Sequence, residues 1–342
     1  MSHRLPWRQK QLIGPKRPCE TDRMQTPKPG KTARFRVRFL PPTRHMLASV
    51  LVLALAGCGT APAASEGGRP PFTSASAAPG PAPVASPDPS PVRTTAVTAS
   101  GDLPGWKHVF EEDFSAGDVP VGAFPGPLYQ EKWSAGYKDG TPDTAAQIGA
   151  TSSGYYPSKV LSVRDGALDW FLHSENGVFM GAAPTPKIPN SSSNPPRDNS
   201  LLYGRYSVRF RADSLAGFKT AWLLWPDSGV WPRDGEIDFP EGDLAKIIYG
   251  AAHYEKDGAD AFEKFDSDQA FTSWHVATME WAPDRVEFYL DGKSLGASRA
   301  APPTVPMHFI LQTESCLPVP NCPLPETQGH VSLDWISIWV PA

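Results

Sequence analysis

The sequence predicts an all-β domain, an antiparallel sandwich or barrel, over residues 102–342 of the 342-residue chain. Two runs of alternating apolar and polar residues, 161–164 and 167–172, flank an Asp-Gly pair, which is the pattern of a two-residue β-hairpin. The run 286–290 is followed by Asp-Gly in the same way, and no stretch after residue 60 keeps a helical period beyond ten residues. Many short strands separated by turns are typical of sandwiches and barrels.

Further alternation identifies the remaining strands. An Asn-Gly pair at 176–177 marks a third hairpin turn. The run 203–211 places its aromatic and aliphatic residues on one face and mostly arginines on the other, and the run 331–340 closes the chain in the same pattern. Between these elements, residues 181–200 are rich in proline, serine and asparagine, so we expect one long surface loop there.

The residues before this domain have the pattern of an export signal. Residues 46–57 are uncharged, follow a basic stretch and are too short to span a bilayer, as in a secretory h-region. The Leu-Ala-Gly-Cys sequence that ends at Cys58 resembles the bacterial lipobox, in which the cysteine is lipidated. We therefore predict a basic leader and lipoprotein signal peptide over 1–58, and an extracytoplasmic protein that is lipid-anchored to the cell membrane or secreted.

Composition separates a linker from the domain and restricts the partners. Residues 59–101 are rich in Pro, Ala and Ser and lack apolar bulk, which predicts a disordered linker. The formal net charge is −4, and the basic residues concentrate before residue 46, so the remainder is acidic. This charge disfavours nucleic acid as a partner and limits membrane contact to the lipid anchor. We expect the chain to act as a monomer.

The domain contains two cysteines, Cys316 and Cys322, separated by five residues. In an exported protein such a close pair predicts a disulfide that closes a loop. A metal site is disfavoured because no second Cys/His pair lies at ligand spacing.

The most informative segment is the acidic strand that contains Glu236, Asp238 and Glu241. Alternate residues of a strand share a face, so Glu236 and Asp238 point the same way. Glu241 lies five positions after Glu236 and would point the opposite way, unless one extra residue forms a β-bulge near Pro240. Such a bulge would place three carboxylates on one face, while the Ile and Phe between them mark the other face as buried.

Three carboxylates at this spacing cannot all ionise freely, so we expect at least one raised pKa. An ionised carboxylate beside a protonated one suits a retaining glycosidase, in which one attacks the anomeric carbon and the other donates a proton and later activates water. A solvated acidic edge and a Ca²⁺ site are the alternatives. The buried opposite face argues against the first, whereas spacing alone leaves the second open.

Residues 235–241, Gly-Glu-Ile-Asp-Phe-Pro-Glu, resemble the Glu-x-Asp-x-x-Glu signature of glycoside hydrolase family 16. Segments similar to other strands of the family occur in the same order, at 108–114, 203–209, 221–224, 273–292 and 332–339. The resemblance covers nearly all of residues 105–342. We therefore interpret residues 102–342 as a glycoside hydrolase family 16-like catalytic domain.

This resemblance implies a concanavalin A-like β-jelly-roll sandwich of two antiparallel sheets with a concave substrate cleft. It implies an endo-acting retaining β-glycosidase that hydrolyses a β-1,3/β-1,4-linked polysaccharide, a β-glucan or galactan, by double displacement. Carried over by position, Glu236 is the nucleophile, Glu241 is the general acid/base, and Asp238 assists both by hydrogen bonding. The motif with the extra residue is the form found in laminarinase-like, agarase-like and carrageenase-like members.

Aromatic and polar residues near the acidic strand are candidates for sugar binding. Trp231 and Trp222 flank the strand and offer flat faces to sugar rings. The resemblance places His253 near the catalytic carboxylates, with a structural histidine as the alternative. Gln312 and Arg209 are candidates for binding sugar hydroxyl groups.

The resemblance also bears on metals and on substrate. Asp334 corresponds to a position that ligates a structural Ca²⁺ in some members, so Ca²⁺ is an open expectation, and the reaction itself requires no cofactor. The chain departs from the family at Ser207, where Glu is frequent, and at Phe218-Lys219, where Trp-Pro is usual. Two other functions stay open: a non-catalytic carbohydrate-binding jelly roll, and a transglycosylase that remodels envelope glycan.

Overall fold

The computed structural model describes four ranges of the chain, residues 100–149, 152–189, 199–318 and 321–342. They lie within one compact unit, 87–342. The predicted leader 1–58, including Cys58, and the predicted linker up to residue 99 lie outside the described residues. None of the helices in the described ranges has the length and hydropathy that a membrane crossing needs.

The described ranges form short helices and many strands. The helices are α1 (Gly126–Tyr129), α2 (Thr144–Gln147) and α3 (Pro157–Val160). The strands, in chain order, are β1 (Trp106–Glu112), β2 (Trp133–Ser134), β3 (Thr141–Pro142), β4 (Ser153–Tyr155), β5 (Leu161–Arg164), β6 (Ala167–Glu175), β7 (Val178–Gly181), β8 (Thr185–Pro186), β9 (Ser200–Leu201), β10 (Gly204–Ala212), β11 (Phe218–Pro226), β12 (Glu236–Asp243), β13 (Ile247–Lys256), β14 (Ala259–Ala270), β15 (His275–Ala282), β16 (Arg285–Leu290), β17 (Lys293–Ser298), β18 (Met307–Ser315) and β19 (Gly329–Pro341).

Two sheets contain most of these strands. The larger sheet has the order β17-β16-β15-β10-β19-β6-β7-β4-β3, with β1 beside β19 and β5 beside β6. The smaller sheet has the order β14-β13-β12-β11-β18-β9. Neighbouring strands run antiparallel, apart from the parallel pair of β4 and β7. The predicted antiparallel sandwich is therefore confirmed.

The three predicted hairpin turns are formed. Both residues of the pairs Asp165-Gly166, Asn176-Gly177 and Asp291-Gly292 have positive φ, with values between 51° and 77°. A two-residue turn of this kind needs positive φ at both positions, which Asn, Asp and Gly adopt at the lowest cost. Asp257-Gly258, between β13 and β14, has the same geometry. These turns set the register of the strands that they join.

The hydrophobic core lies between the two sheets and fixes which way β12 faces. Tyr206, Val208 and Phe210 of β10 and Ile237 and Phe239 of β12 are buried in one cluster. Burying an aliphatic or aromatic side chain of this size stabilises the fold by roughly 1.5–3 kcal/mol. A slip of β12 by one residue would move its apolar side chains to the other face, so the core holds the register of the acidic strand.

The surface loop predicted over 181–200 is wrong for its described parts, 181–189 and 199–200. Ala182 is fully buried and Ile188 is nearly so. The backbone N–H of Thr313 donates to the Ala182 carbonyl at 2.9 Å, and the Ala182 N–H donates to Thr313 Oγ1 at 3.0 Å. This segment extends along β18 and buries small side chains, which a proline-rich sequence without alternation did not indicate.

Candidate active site

A β-bulge in β12 gives its three acidic residues a common face. Glu236, Asp238 and Glu241 are paired with successive alternate residues of β13, and the register shifts between Asp238 and Glu241. Their respective partners are His253, Ala251 and Tyr249. The pairing with β11 shifts at the same place, so the extra residue belongs to β12. The bulge predicted near Pro240 is therefore confirmed.

We call the face of the smaller sheet that carries these three residues, on the side away from the core, the carboxylate face. It is sheltered, because Asp238 is only 2% exposed and Glu241 only 9%. A small apolar cluster, separate from the main core, covers part of this face: Tyr155, Ala183, Ala221, Leu223 and Ile310. Charges on the carboxylate face consequently interact through a medium of low polarity.

Glu241 is held by a cation and a phenol. Lys219 Nζ lies 2.8 Å from Glu241 Oε1, and both side chains are largely buried. Tyr249 hydrogen-bonds to Glu241 as well, and burial together with the Glu241 charge raises the pKa of Tyr249. Burial by itself would lower the pKa of Lys219, but the carboxylates of Glu241 and Glu314 outweigh it and raise that pKa. Lys219 is therefore a permanent positive charge on the carboxylate face.

Glu236 and Asp238 are in a different electrostatic environment from Glu241. Burial, followed by the charge of Glu241, raises the pKa of Glu236 to about 8, and Lys219 and a hydrogen bond from Trp231 offset only part of that shift. Burial and the two neighbouring glutamates raise the pKa of Asp238 well above its ordinary value. Burial, with the close spacing of the three acids as the second cause, thus raises these two pKa values, and the cluster retains protons at neutral pH.

His253 lies beside these carboxylates. Its Nδ1 is 3.0 Å from Asp260 Oδ1, and its Nε2 is 3.8 Å from Asp238 Oδ2. The ring stacks on Phe262 with centroids 5.0 Å apart. Asp260 and Phe262 thereby fix the orientation of the imidazole, and its second nitrogen points toward the acidic cluster.

Donor atoms of Glu236, Asp238 and His253 all lie within 4.8 Å of one another, which raises the question of a metal ion. Ca²⁺ takes six to eight oxygen ligands, whereas this group offers two carboxylates and one imidazole nitrogen. The ammonium group of Lys219 also supplies a fixed positive charge to the same cluster. The arrangement fits acids that share protons better than it fits a cation site.

Trp231 forms part of an aromatic surface next to Glu236. Its side chain is 41% exposed. Its ring lies nearly parallel to that of Trp225, with centroids 6.4 Å apart, and 6.2 Å from the ring of His253. Trp225 alternates along β11 with Ala221 and Leu223 of the carboxylate face, so the same periodicity places it there. Exposed, parallel aromatic rings are suited to binding the apolar faces of sugars.

Two of the residues predicted to bind substrate do not lie on the carboxylate face. Trp222 is fully buried in the core and stacks on Trp170 with centroids 5.5 Å apart, so no face is available to a sugar. Arg209 lies in β10 of the larger sheet, where its guanidinium group pairs with Asp334 and lies over the Trp274 ring. Alternation within each strand explains both corrections, since Trp222 points inward and Arg209 points to the outer face of the other sheet.

The remaining predicted residues have clear positions. Gln312 is paired with Ala221 and lies on the carboxylate face. Asp334 Oδ2 is 2.5 Å from Arg209 Nη1, so a guanidinium group compensates its charge, and a Ca²⁺ ion at Asp334 stays a prediction. Cys316 and Cys322 are joined by a disulfide.

Sequence reasoning treated the positions of Lys219 and Glu314 as sugar subsites, assigned no role to Tyr249, and did not predict that these residues surround Glu241. Glu314 is buried on β18 and accepts hydrogen bonds from Tyr155 Oη at 2.8 Å and from Thr144 Oγ1 at 2.6 Å. Strand alternation could have placed Lys219 and Glu314 on the carboxylate face. Lys219 lies two residues before Ala221 in β11, and Glu314 lies two residues after Gln312 in β18. Alternation could be used only after the pairing of β11 with β12 and β18 was known.

The chain is similar to a family of carbohydrate-active enzymes. A model described as "Glycosyl hydrolases family 16" matches residues 172–336. Over 103 residues the chain is 30% identical to a β-glucanase of Rhodothermus marinus, and the alignment covers 27% of this chain and 36% of that protein. The matched segment therefore spans about a third of that relative.

Solved structures share the fold over most of the described residues. The laminarinase catalytic domain of Thermotoga maritima has a TM-score of 0.53 at 19% identity, covering 69% of this chain and 99% of that chain. A GlcNAcα1-4Gal-releasing endo-β-galactosidase of Clostridium perfringens has a TM-score of 0.51 at 17% identity, covering 71% and 65% respectively. At these identities the likeness concerns the fold alone, and it confirms the predicted β-jelly-roll sandwich.

Proposed function

We propose that this protein, whose residues 172–336 match the model of the glycosyl hydrolases family 16, is a member of that family and hydrolyses internal β-linkages of a polysaccharide. The observation that carries the proposal is the set of Glu236, Asp238 and Glu241 on one sheltered face, bordered by the exposed ring of Trp231. The β-glucanase and laminarinase relatives support a β-glucan as the first substrate class to test.

The proposed reaction is a double displacement with retention of configuration. In the first step, Glu236 forms a bond to the anomeric carbon while the bond to the leaving oxygen breaks and Glu241 gives that oxygen its proton. In the second step, Glu241 takes a proton from water, the water oxygen bonds to the anomeric carbon, and Glu236 is released. Because burial raises the pKa of Glu236, the proton that Glu236 holds at rest must be exchanged to Glu241 before the first step, and Glu241 then alternates between acid and base.

We assign Asp238 to supporting this exchange. Its Oδ2 is buried and has no hydrogen-bond partner among the described residues, while His253 Nε2 lies 3.8 Å away. A buried acid without a full set of partners is costly, so its retention between two glutamates suggests a part in the reaction. Asp238 would hydrogen-bond to Glu236 when the proton is redistributed in the cluster.

The test is reducing-end release by the purified protein on laminarin, mixed-linkage glucan, agarose, carrageenan and xyloglucan. We expect hydrolysis of at least one polymer by the wild type, and loss of turnover by at least about a thousandfold in Glu236→Gln, because an amide cannot form the covalent bond. Polymer binding by that variant should stay close to that of the wild type. The matched control is Glu255→Gln, which changes an exposed acid on β13 and should retain activity.

The other outcomes separate the alternatives. Binding of a polymer without hydrolysis by the wild type would indicate a non-catalytic binding module. Longer products formed with an added acceptor sugar would indicate a transglycosylase. Normal turnover by Glu236→Gln would contradict the assignment of the nucleophile.

Lipid anchoring through Cys58 and a location outside the cytoplasm are also proposals, supported by the sequence of residues 46–58 alone. We expect the wild type in the membrane fraction of a bacterial host. Cys58→Ser should move it out of that fraction without changing the activity of the domain. Equal distribution of the two proteins would contradict the anchor.

A further inference from the structure

Lys219 is the feature of the carboxylate face that the reaction scheme above leaves unused. Its Nζ is 2.8 Å from Glu241 Oε1, and its side chain is only 14% exposed. Lys219 also lies opposite Glu314, whose charge acts on the same ammonium group. A buried lysine paired this closely stays charged, since burial without a partner would be very costly.

The surroundings of the Lys219–Glu241 pair determine its effect. The ionisable groups that face the pair from the neighbouring strands are Glu236, Asp238 and Asp243 on β12, Glu314 on β18, Tyr249 on β13, Lys264 over the Tyr249 ring, and Tyr155 bonded to Glu314. The direct partners of the Glu241 carboxylate are Lys219 and the Tyr249 hydroxyl. An ammonium group and a phenol that both donate to a carboxylate stabilise its ionised form.

The two chemical steps need opposite forms of Glu241. Cleavage of the glycosidic bond needs a protonated Glu241, which gives its proton to the leaving oxygen. Hydrolysis of the covalent intermediate needs an ionised Glu241, which takes a proton from water. A fixed cation at Glu241 therefore disfavours the first step and favours the second.

We propose that Lys219 is a positioning residue that holds Glu241 as an oriented carboxylate, so that the protein is preset for hydrolysis of the covalent intermediate. The inference rests on the proposed function. It implies that formation of the intermediate limits turnover, and that activity falls at alkaline pH when the cluster loses the proton held by Glu236 and Asp238, whose pKa values Lys219 lowers. It also identifies the departure at Phe218-Lys219 as a change in catalytic behaviour.

The kinetic test is the pH profile of kcat/KM on laminarin, or on whichever polymer of the panel is hydrolysed, for the wild type, Lys219→Met and Lys219→Arg. Lys219→Met removes the charge and should shift the alkaline limb of the profile to higher pH by about one unit or more, with KM changed less than threefold. Lys219→Arg keeps the charge and should stay within a few tenths of a pH unit of the wild type. A loss of structure alone would lower activity at all pH values without moving the limb.

Lys246→Met is the matched control. Lys246 is an exposed lysine near the end of β12, and its partner is Asp243, at 3.7 Å. Its removal deletes the same charge from a position outside the reacting pair. The alkaline limb should not move in this variant.

A second measurement needs neither activity nor a folded Lys219→Met. Side-chain ¹³C spectra of the wild type at pH 6, with Glu241 and Glu236 assigned from Glu241→Gln and Glu236→Gln, report which carboxyl group is ionised. We expect a carboxylate signal for Glu241 and a carboxylic acid signal for Glu236. If the protein hydrolyses none of the polymers but shows these signals, the proposed function fails while the ionised Glu241 that the inference requires is present. A protonated Glu241 at pH 6, or an unmoved limb in folded Lys219→Met, would overturn the inference.

Discussion

At the scale of single residues, the candidate site is defined by which carboxyl groups hold a proton. Glu241 has an ammonium group and a phenol as direct partners, whereas the half-buried Glu236 and the buried Asp238 lie beside other acids. Three acids of one strand are therefore not equivalent, although they share a face. The difference arises from β11 and β13, which supply Lys219 and Tyr249, and not from the acidic strand itself.

These protonation states predict how stability depends on pH. Glu236 has an ordinary value of 4.5 and a pKa of about 8 in the folded protein, and the pKa of Asp238 is raised as well. Between these values the native state binds more protons than the unfolded state, so the free energy of unfolding falls as pH rises. We expect a fall of roughly 2 kcal/mol between pH 5 and pH 8, measured by urea unfolding.

The variants that check this prediction change one proton site each. Glu236→Gln cannot ionise, so its free energy of unfolding should fall less steeply over the same range. Glu255→Gln removes an exposed acid and should leave the slope unchanged. A free energy of unfolding that rises from pH 5 to pH 8 in the wild type would show that Glu236 and Asp238 are ionised in the native state.

At the scale of elements, β12 was predicted from its own sequence. Its alternation of acidic and apolar residues gave the two faces, and Pro240 indicated the bulge that returns Glu241 to the face of Glu236. These are local signals, because side-chain direction in a strand depends only on period and bulges. The hairpin turns were predictable for the same reason, since positive φ at both positions restricts the sequence.

Features that depend on pairing between distant strands were not predictable in this way. Trp222 and Trp225 are equally aromatic in sequence, and only the register of β11 against β12 decides which of them is buried. Lys219 needed the same register before its contact with Glu241 could be recognised. The segment 181–189 was misjudged because its buried alanines pack on β18 through backbone hydrogen bonds, which carry no side-chain pattern.

At the scale of the whole domain, the carboxylate face is sheltered by a contact between elements of different sheets. Tyr155 belongs to β4 of the larger sheet, and its hydroxyl donates to Glu314 of β18 in the smaller sheet. Thr144 of α2 donates to the same carboxylate through its backbone N–H and its hydroxyl. Glu314 therefore ties the segments around α2 and β4 to the edge of the candidate site, next to Lys219.

This contact predicts that the Tyr155 hydroxyl helps to hold the segments around α2 and β4 against the edge of the candidate site. Tyr155→Phe keeps the ring in the apolar cluster but removes one donor from a buried carboxylate, which should lower the free energy of unfolding by about 1–3 kcal/mol. Amide hydrogen exchange should increase in residues 152–155 and in α2, because both lose a shared attachment to Glu314. Tyr254→Phe, a half-buried tyrosine of β13, is the matched control and should change stability by less than about 0.5 kcal/mol. Unchanged stability and exchange in Tyr155→Phe would mean that packing of the aromatic ring alone holds the segments around α2 and β4 in place. Glu314 would then serve only to balance the charge of Lys219.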